Sequence, residues 1–262
     1  MKILVCIKQV PGTNKVEIDE KTGVLKRDGV KSKINPYDLY AIEAALQVRE
    51  QTGGSVTALT MGPPQAEQII TEAYMMGVDD GCLVTDRRFG GADVLATSYT
   101  LSQAVKALGG FDLIICGKQT TDGDTAQVGP ALAELLGMVH VAWVKSIDNV
   151  DKDGIMVSQD LPDSTETVRL QYPCLITVEK DIMQPRLPSY KRKLASAGKL
   201  VQKLTLNDFS DKDPEHYGLN GSATKVERIF SPQSNVEQLM LEGDGNEQAE
   251  SLLQLLQTRK LI

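Results

Sequence analysis

The sequence predicts an α/β protein built on an open, mostly parallel sheet. Three observations carry that expectation: short apolar runs that read as buried strands alternate with segments of helical period, glycines punctuate the joints between them, and a hydroxyl- and glycine-rich loop leads from one strand into a helix. The strand-like runs are Ile3 to Ile7, Ser55 to Leu59, Cys82 to Thr85 and Leu113 to Cys116, and the helical patterns occupy 38–51, 64–76, 93–108 and 125–136. Strictly alternating elements of this kind form parallel βαβ units.

Each element has its own local signals. The first helix opens at Asn35-Pro-Tyr-Asp38, where Asn35 or Asp38 can cap, and Gly53-Gly54 stops it. Its apolar positions Leu39, Ile42, Leu46 and Val48 lie close to one face. Glycine pairs flank the third helix, Gly90-Gly91 before it and Gly109-Gly110 after it. The alternating stretch Lys15 to Leu25 reads as a β-hairpin inserted in the first crossover, and a second hairpin is expected around Asn149 to Gly154. Tyr172 to Val178 reads as another buried strand. From about Met183 to Ser234 the sequence turns polar and proline-containing, which predicts an arm and not a second core. The closing segment is helix-competent, with Ala249, Leu252, Leu253 and Leu256 as its apolar stripe.

Length, charge and cysteine usage exclude several classes. The chain has 262 residues, enough for one large α/β domain with an appendage, and a formal net charge of -7, which gives no reason to expect nucleic acid or an anionic membrane as partner. No apolar run is long enough to span a bilayer, and Met1 to Lys8 is too short and too promptly charged for a signal peptide. Cys6, Cys82, Cys116 and Cys174 stand singly in apolar runs, and His140 and His216 are the only histidines, so no metal site is expected. Buried, reduced thiols point to the cytoplasm.

The stretch from Phe111 to Pro130 is the most informative. Its strand, Leu113 to Cys116, ends at Gly117, and the following loop offers the hydroxyls of Thr120, Thr121 and Thr125 before a helix that Thr125 can cap. A diphosphate placed there would meet backbone N–H donors and the positive end of the helix dipole. Asp122 and Asp124 weigh against an anion unless they face a ribose or solvent, and a plain strand-to-helix connection is the alternative. Asp86-Arg-Arg-Phe-Gly-Gly-Ala-Asp93 sits equivalently after a strand and before a helix, where Arg87 or Arg88 can pair with a phosphate or stand in a solvated loop. Asn149, Asp151, Asp153 and Gly154 fall at EF-hand spacing, but the flanks are strand-like and the twelfth position is Asp160, which favours a hairpin turn. There is no Walker loop, no complete GxGxxG and no nucleophile elbow.

Taken together, Leu4-Val-Cys-Ile-Lys8, Asn35-Pro-Tyr-Asp38, Leu59-Thr-Met-Gly-Pro63, Gly117 to Gln127 and Glu166 to Pro173 continuing to Pro185-Arg186 closely resemble the β subunit of electron-transfer flavoproteins, over residues 1 to at least 198. The resemblance implies a Rossmann-like, adenine-nucleotide-hydrolase-like sheet with inserted hairpins and a C-terminal arm ending in a helix. It divides the chain into a nucleotide- and flavin-binding α/β domain, 1–185, and a partner-binding arm with terminal helix, 186–262. It implies a heterodimer with a flavin-binding α subunit, and an adenine nucleotide held by Cys6, Asn35, Pro36, Tyr37, Asp38, Met61, Gly117, Lys118, Gln119, Thr120, Thr121, Asp122, Gly123, Asp124, Thr125, Ala126, Gln127 and Val128. In the simple carriers of the family that nucleotide is AMP; in the electron-bifurcating branch it is a second FAD that takes a hydride from NADH. Asp86 to Thr97 looks like the segment that distinguishes the bifurcating branch, with Arg87, Gly91, Ala92 and Asp93 meeting NADH. The implied outcome is one electron to ferredoxin or flavodoxin and the other to an acyl-CoA dehydrogenase-like or other flavin dehydrogenase, with the chemistry carried by flavin and no catalytic side chain in this chain. Leu187 to Lys199, with Lys191, Arg192 and Lys193, is the implied dehydrogenase contact. A nucleotide-binding regulatory module without redox activity is the alternative from another class.

Overall fold

The computed structural model describes residues 1–12, 32–227 and 239–262, and the backbone alone at 17–18 and 25–26. Its elements in chain order are β1 (Lys2–Cys6), β2 (Gln9–Pro11), β3 (Glu17–Ile18), β4 (Leu25–Lys26), β5 (Ser32–Ile34), α1 (Pro36–Thr52), β6 (Ser55–Met61), α2 (Glu67–Met76), β7 (Asp80–Val84), α3 (Val94–Ala107), β8 (Leu113–Gly117), α4 (Val128–Leu136), β9 (Val139–Val150), β10 (Gly154–Leu161), β11 (Ser164–Gln171), β12 (Cys174–Val178), α5 (Tyr190–Ala195), β13 (Gln202–Leu204) and α6 (Gly245–Thr258).

Nine strands make one sheet in the order β11-β10-β9-β12-β8-β1-β6-β7-β13. The strands from β9 to β13 in that order run parallel, whereas β10 and β11 add an antiparallel extension. The fold class is therefore the expected one. In β1 the pleat sends Ile3 and Val5 to a core shared with α1 and α2, and Leu4 to the opposite core beneath α3 and α4. All three are fully buried, and burying a side chain of this size contributes roughly 1.5–3 kcal/mol. After β1 the chain crosses to β6 and β7 on one side, then returns through α3 to β8 on the other side of β1. The β1/β8 junction is thus the point at which strand order reverses, where open α/β sheets leave a crevice for ligands.

Several boundaries differ from the sequence expectation for identifiable reasons. The 64–76 segment begins with a 3-10 turn, Pro64–Ala66, before α2. The helix expected over 125–136 starts at Val128, because Asp124 and Ala126 adopt left-handed backbone conformations (φ 54° and 55°) that a continuing helix excludes. The inserted hairpin is seen as the antiparallel pair β3–β4, while its turn lies outside the described residues. The 149–154 hairpin joins β9 to β10, and Asp151 closes it by accepting the N–H groups of Asp153 and Gly154 while pairing with Arg169.

The compact unit continues to Glu227, past the boundary expected at residue 185. β13 adds to the sheet beside β7, and the buried Phe209 and Tyr217 pack on Phe89, with ring centroids 5.6 and 5.5 Å away. Three aromatic rings that bury one another explain why a polar-looking segment returns to the core. Arg186 anchors the start of this segment, donating from Nε and Nη2 to the buried Glu43 carboxylate on α1 at 2.7 and 2.8 Å. Arg192, which the sequence places in a basic run, donates from Nη1 to the Met76 carbonyl at the end of α2.

Residues Arg228–Ile262 form a second unit. Its helix α6 opens with a capping box in which Asp244 and Glu247 satisfy each other's backbone N–H groups. Leu252 and Leu253 of its stripe are exposed. No helix among the described residues is long and apolar enough to cross a membrane.

Candidate functional site

The carboxyl ends of β1 and β8 meet the first turn of α1, and Asn35 joins all three. Its side-chain amide, fully buried, donates at 2.9 Å to the Asp38 carboxylate and at 2.9 Å to the Gln119 carbonyl, while its oxygen accepts the Thr121 N–H at 3.2 Å. Asn35 does occupy the cap position before α1, but it makes no side-chain cap bond because these contacts use its amide. Pro36, at the first helical position, loses no hydrogen bond there. The consequence is a loop from Gln119 onward that is tied to a helix 84 residues earlier in the chain.

Asp38 lies beneath this junction. Its other oxygen accepts the Lys8 N–H at 2.7 Å. Burial pushes its pKa up to about 7, against the lowering effect of the Asn35 amide and the Lys8 N–H. Gly117 packs flush on it: a β-carbon at 117 would lie 2.5 Å from Asp38 Oδ1 and 2.8 Å from the Tyr37 carbonyl carbon. Tyr37 itself is half-buried at the rim. Cys6 and Cys116 are register partners at the ends of β1 and β8, and a hydrogen bond with Cys6, together with burial, raises the Cys116 thiol well above its ordinary range. Met61, half-buried, ends β6 on the far side of β1.

The loop folds into an arc above this floor. The Thr120 hydroxyl accepts the Gly123 N–H at 3.4 Å, and the Thr120 carbonyl accepts the Asp124 N–H at 3.0 Å. Thr121 and Thr125 are exposed. One of the two loop carboxylates has its charge paired within the chain, and the other is held by an amide. Asp122 is bound to the Lys8 ammonium at 2.7 Å, which outweighs the effect of burial and holds its carboxyl below the usual range, and Asp124 accepts from the Gln119 amide. Thr125 is not the cap of α4; Gln127 stands in that position and gives no side-chain bond. The first-turn N–H groups of Val128 and Gly129 are therefore left at an open helix end, where Ala126 leads into the turn. Such an end receives phosphate oxygens without a counter-charge. Gly129 sits so close to β12 that a β-carbon would lie 2.4 Å from Thr177 Cγ2.

Lys118, an expected loop residue, is engaged by β9 and the end of β12. Its ammonium pairs with Glu179 at 2.6 Å and lies 4.9 Å from the centre of the Trp143 ring. Trp143 holds a left-handed backbone (φ 58°) at an irregularity between β9 and β12, donating its N–H to the Thr177 hydroxyl at 3.0 Å. Lys8, Trp143, Thr177 and Glu179 were not among the expected site residues. Glu179 and Thr177 were within reach of the sequence, since they end a predicted strand at the same sheet edge; the Lys8–Asp122 pair, spanning 114 residues, was not.

The second loop, Asp86 to Asp93, follows β7 on the same edge. Asp86 binds Arg88 through both oxygens and receives the Leu206 N–H, which holds its pKa down at about 2. Arg87 is exposed and has no ion pair among the described residues. Gly91 is left-handed (φ 74°) and Ala92 is half-buried. Asp93 caps α3, with Oδ1 accepting the Ala96 N–H at 3.0 Å. Thus Arg87 is the available cation of the loop, whereas Asp93 is already engaged.

A family model for the electron transfer flavoprotein domain matches residues 22–209. The chain is 41% identical over 262 residues to the electron transfer flavoprotein subunit beta of Thermoanaerobacterium thermosaccharolyticum, with all of both chains covered. It is 42% identical over 266 residues to subunit CarD of the caffeyl-CoA reductase-Etf complex of Acetobacterium woodii, again over the whole of both. It is 38% identical over 268 residues to the acryloyl-CoA reductase electron transfer subunit gamma of Anaerotignum propionicum, also over the whole of both.

Proposed function

Because the chain belongs to the electron transfer flavoprotein family, as a β subunit that pairs with an α subunit, we propose that the heterodimer is an NADH-oxidising, electron-bifurcating flavoprotein of the cytoplasm with FAD in this subunit. It would deliver one electron to ferredoxin or flavodoxin and the other to an acyl-CoA dehydrogenase-like or other flavin dehydrogenase. Relatives of full-length similarity carry the names of caffeyl-CoA and acryloyl-CoA reductase systems, which supports a dehydrogenase or reductase partner.

The residues fit an adenine dinucleotide. The open end of α4 at Val128 and Gly129 and the exposed Thr121 and Thr125 hydroxyls hold its phosphates, with Asp122 charge-paired with Lys8 and Asp124 hydrogen-bonded to the Gln119 amide. Asn35 fixes the loop, and Cys6, Met61 and the Asn35–Asp38 turn line the adenosine or flavin pocket. FAD, when bound, supplies acceptance of an electron pair and release of single electrons, and the chain supplies position and electrostatics.

The observation that carries the NADH reading is Arg87: an exposed guanidinium without an ion pair among the described residues, at the carboxyl end of β7 on the same sheet edge as the cradle. Arg87 pairs with the NADH pyrophosphate, and Gly91 and Ala92 let the nicotinamide nucleotide approach the backbone. Arg87→Ala in the heterodimer tests this. The expected result is at least a tenfold loss in the rate at which NADH bleaches the flavin absorbance, with flavin content unchanged. Unchanged bleaching, or equal loss of bleaching and flavin, contradicts the assignment.

A further inference from the structure

Loop Asp86–Asp93 is enclosed by a segment 130 or so residues later in the chain, and the contacts converge on Asp93. The Asp93 N–H donates to the Ser222 hydroxyl oxygen at 2.9 Å, and that hydroxyl donates in turn to the Gly218 carbonyl at 2.7 Å. The Thr224 N–H and hydroxyl both donate to Asp93 Oδ2, at 2.9 and 3.0 Å. Gly218 is left-handed (φ 56°) and so close to the loop that a β-carbon would lie 2.0 Å from the Arg88 carbonyl oxygen. The next residue, Leu219, donates its N–H to the Gly90 carbonyl at 3.0 Å and sets its side chain against Gly91.

These contacts exceed what the helix needs. Oδ1 of Asp93 alone completes the cap of α3, so the two bonds from Thr224 to Oδ2 act on the orientation of the carboxylate and on the Gly90–Asp93 backbone that precedes it. From these contacts we infer that Ser222 and Thr224 are positioning residues that clamp Asp93 and hold the Gly90–Asp93 backbone in the shape that receives the nicotinamide nucleotide. The inference rests on the proposed NADH reading of this loop. It assigns Asp93 itself to positioning, since both of its oxygens are occupied within the chain.

The test uses the full-length chain in its heterodimer. Thr224→Val keeps the shape and the backbone donor but removes the hydroxyl; Thr224→Ser restores it; Ser222→Ala removes the other hydroxyl. For Thr224→Val the expected result is a rise in the KM for NADH of about tenfold, the ratio set by the charge-assisted hydrogen bond to Asp93 Oδ2, and for Ser222→Ala, which loses neutral backbone partners, a rise of about fivefold, with kcat, flavin content and reduction by dithionite unchanged in both. Thr224→Ser stays near the parent value. Independently of turnover, amide hydrogen exchange at Asp93 and Ala96 quickens about tenfold in Thr224→Val. Quickened exchange with an unchanged KM shows a structural tie and removes the positioning role alone; unchanged exchange removes the clamp. A parent heterodimer inert to NADH removes the proposed NADH reading and this role with it.

Discussion

Replacing Asp38 with Asn isolates the ionisation of the buried carboxyl on which the nucleotide cradle stands. In the folded chain burial holds the Asp38 pKa at about 7, compared with an ordinary value of 3.8. Folding therefore takes up a proton between those two values. The stability that Asp38 contributes is fully present below pH 4 and is lost as pH rises through about 7, because the unfolded chain ionises first. A separation of about three pH units at 1.36 kcal/mol each gives a span of roughly 4 kcal/mol as the upper limit. Carboxylates held low, such as Asp86 and Asp211 at about 2, give the opposite slope, but only in the acid range. Urea unfolding of the parent and Asp38→Asn chains between pH 4 and 8.5 separates these contributions. The parent loses up to roughly 4 kcal/mol relative to the variant over that range. Asn keeps one acceptor but turns an N–H toward one of the donors, Lys8 N–H or Asn35 Nδ2, so the variant starts lower at acid pH by about 1–3 kcal/mol. Parallel pH profiles for the two chains would refute the buried-carboxyl argument.

Arg186→Ala leaves the Glu43 carboxylate, only 4% exposed, without its two-pronged partner, and urea unfolding is expected to show a loss of about 3 kcal/mol that Glu43→Gln largely restores. Gly129→Ala forces a methyl group to within 2.4 Å of Thr177 Cγ2; a stability loss of about 1–3 kcal/mol and weaker nucleotide retention are expected, with partial relief from Thr177→Ser, which removes the methyl group. Lys8→Ala frees the Asp122 charge at the mouth of the cradle, and calorimetric titration with ADP should show roughly tenfold weaker binding at low salt, a deficit that shrinks at high salt.

Much of the sheet was legible because its central strands are buried on both faces: Leu113 to Cys116 and Cys174 to Val178 are buried throughout. β13 was not legible, since only Leu204 of its three residues is buried and its anchors, Phe209 and Tyr217, find Phe89 more than a hundred residues away. The glycines that mark turns were visible, but left-handed Asp124, Ala126 and Trp143 carry no such signal, so the late start of α4 was not. Asn35 was visible as a possible cap, and it proved to be the bolt between helix and loop, because long-range acceptors compete for its amide. The cradle residues came from several matching blocks rather than from any one motif, and the pairing of Lys8 with Asp122 emerged only when the strands were set side by side.

The most direct test of the central claim is the count of flavin and AMP released by denaturing the heterodimer of this chain with its α subunit. The bifurcating assignment predicts two FAD and no AMP per heterodimer. One FAD with one AMP would contradict it in favour of the simple carrier, and a heterodimer without flavin would contradict both.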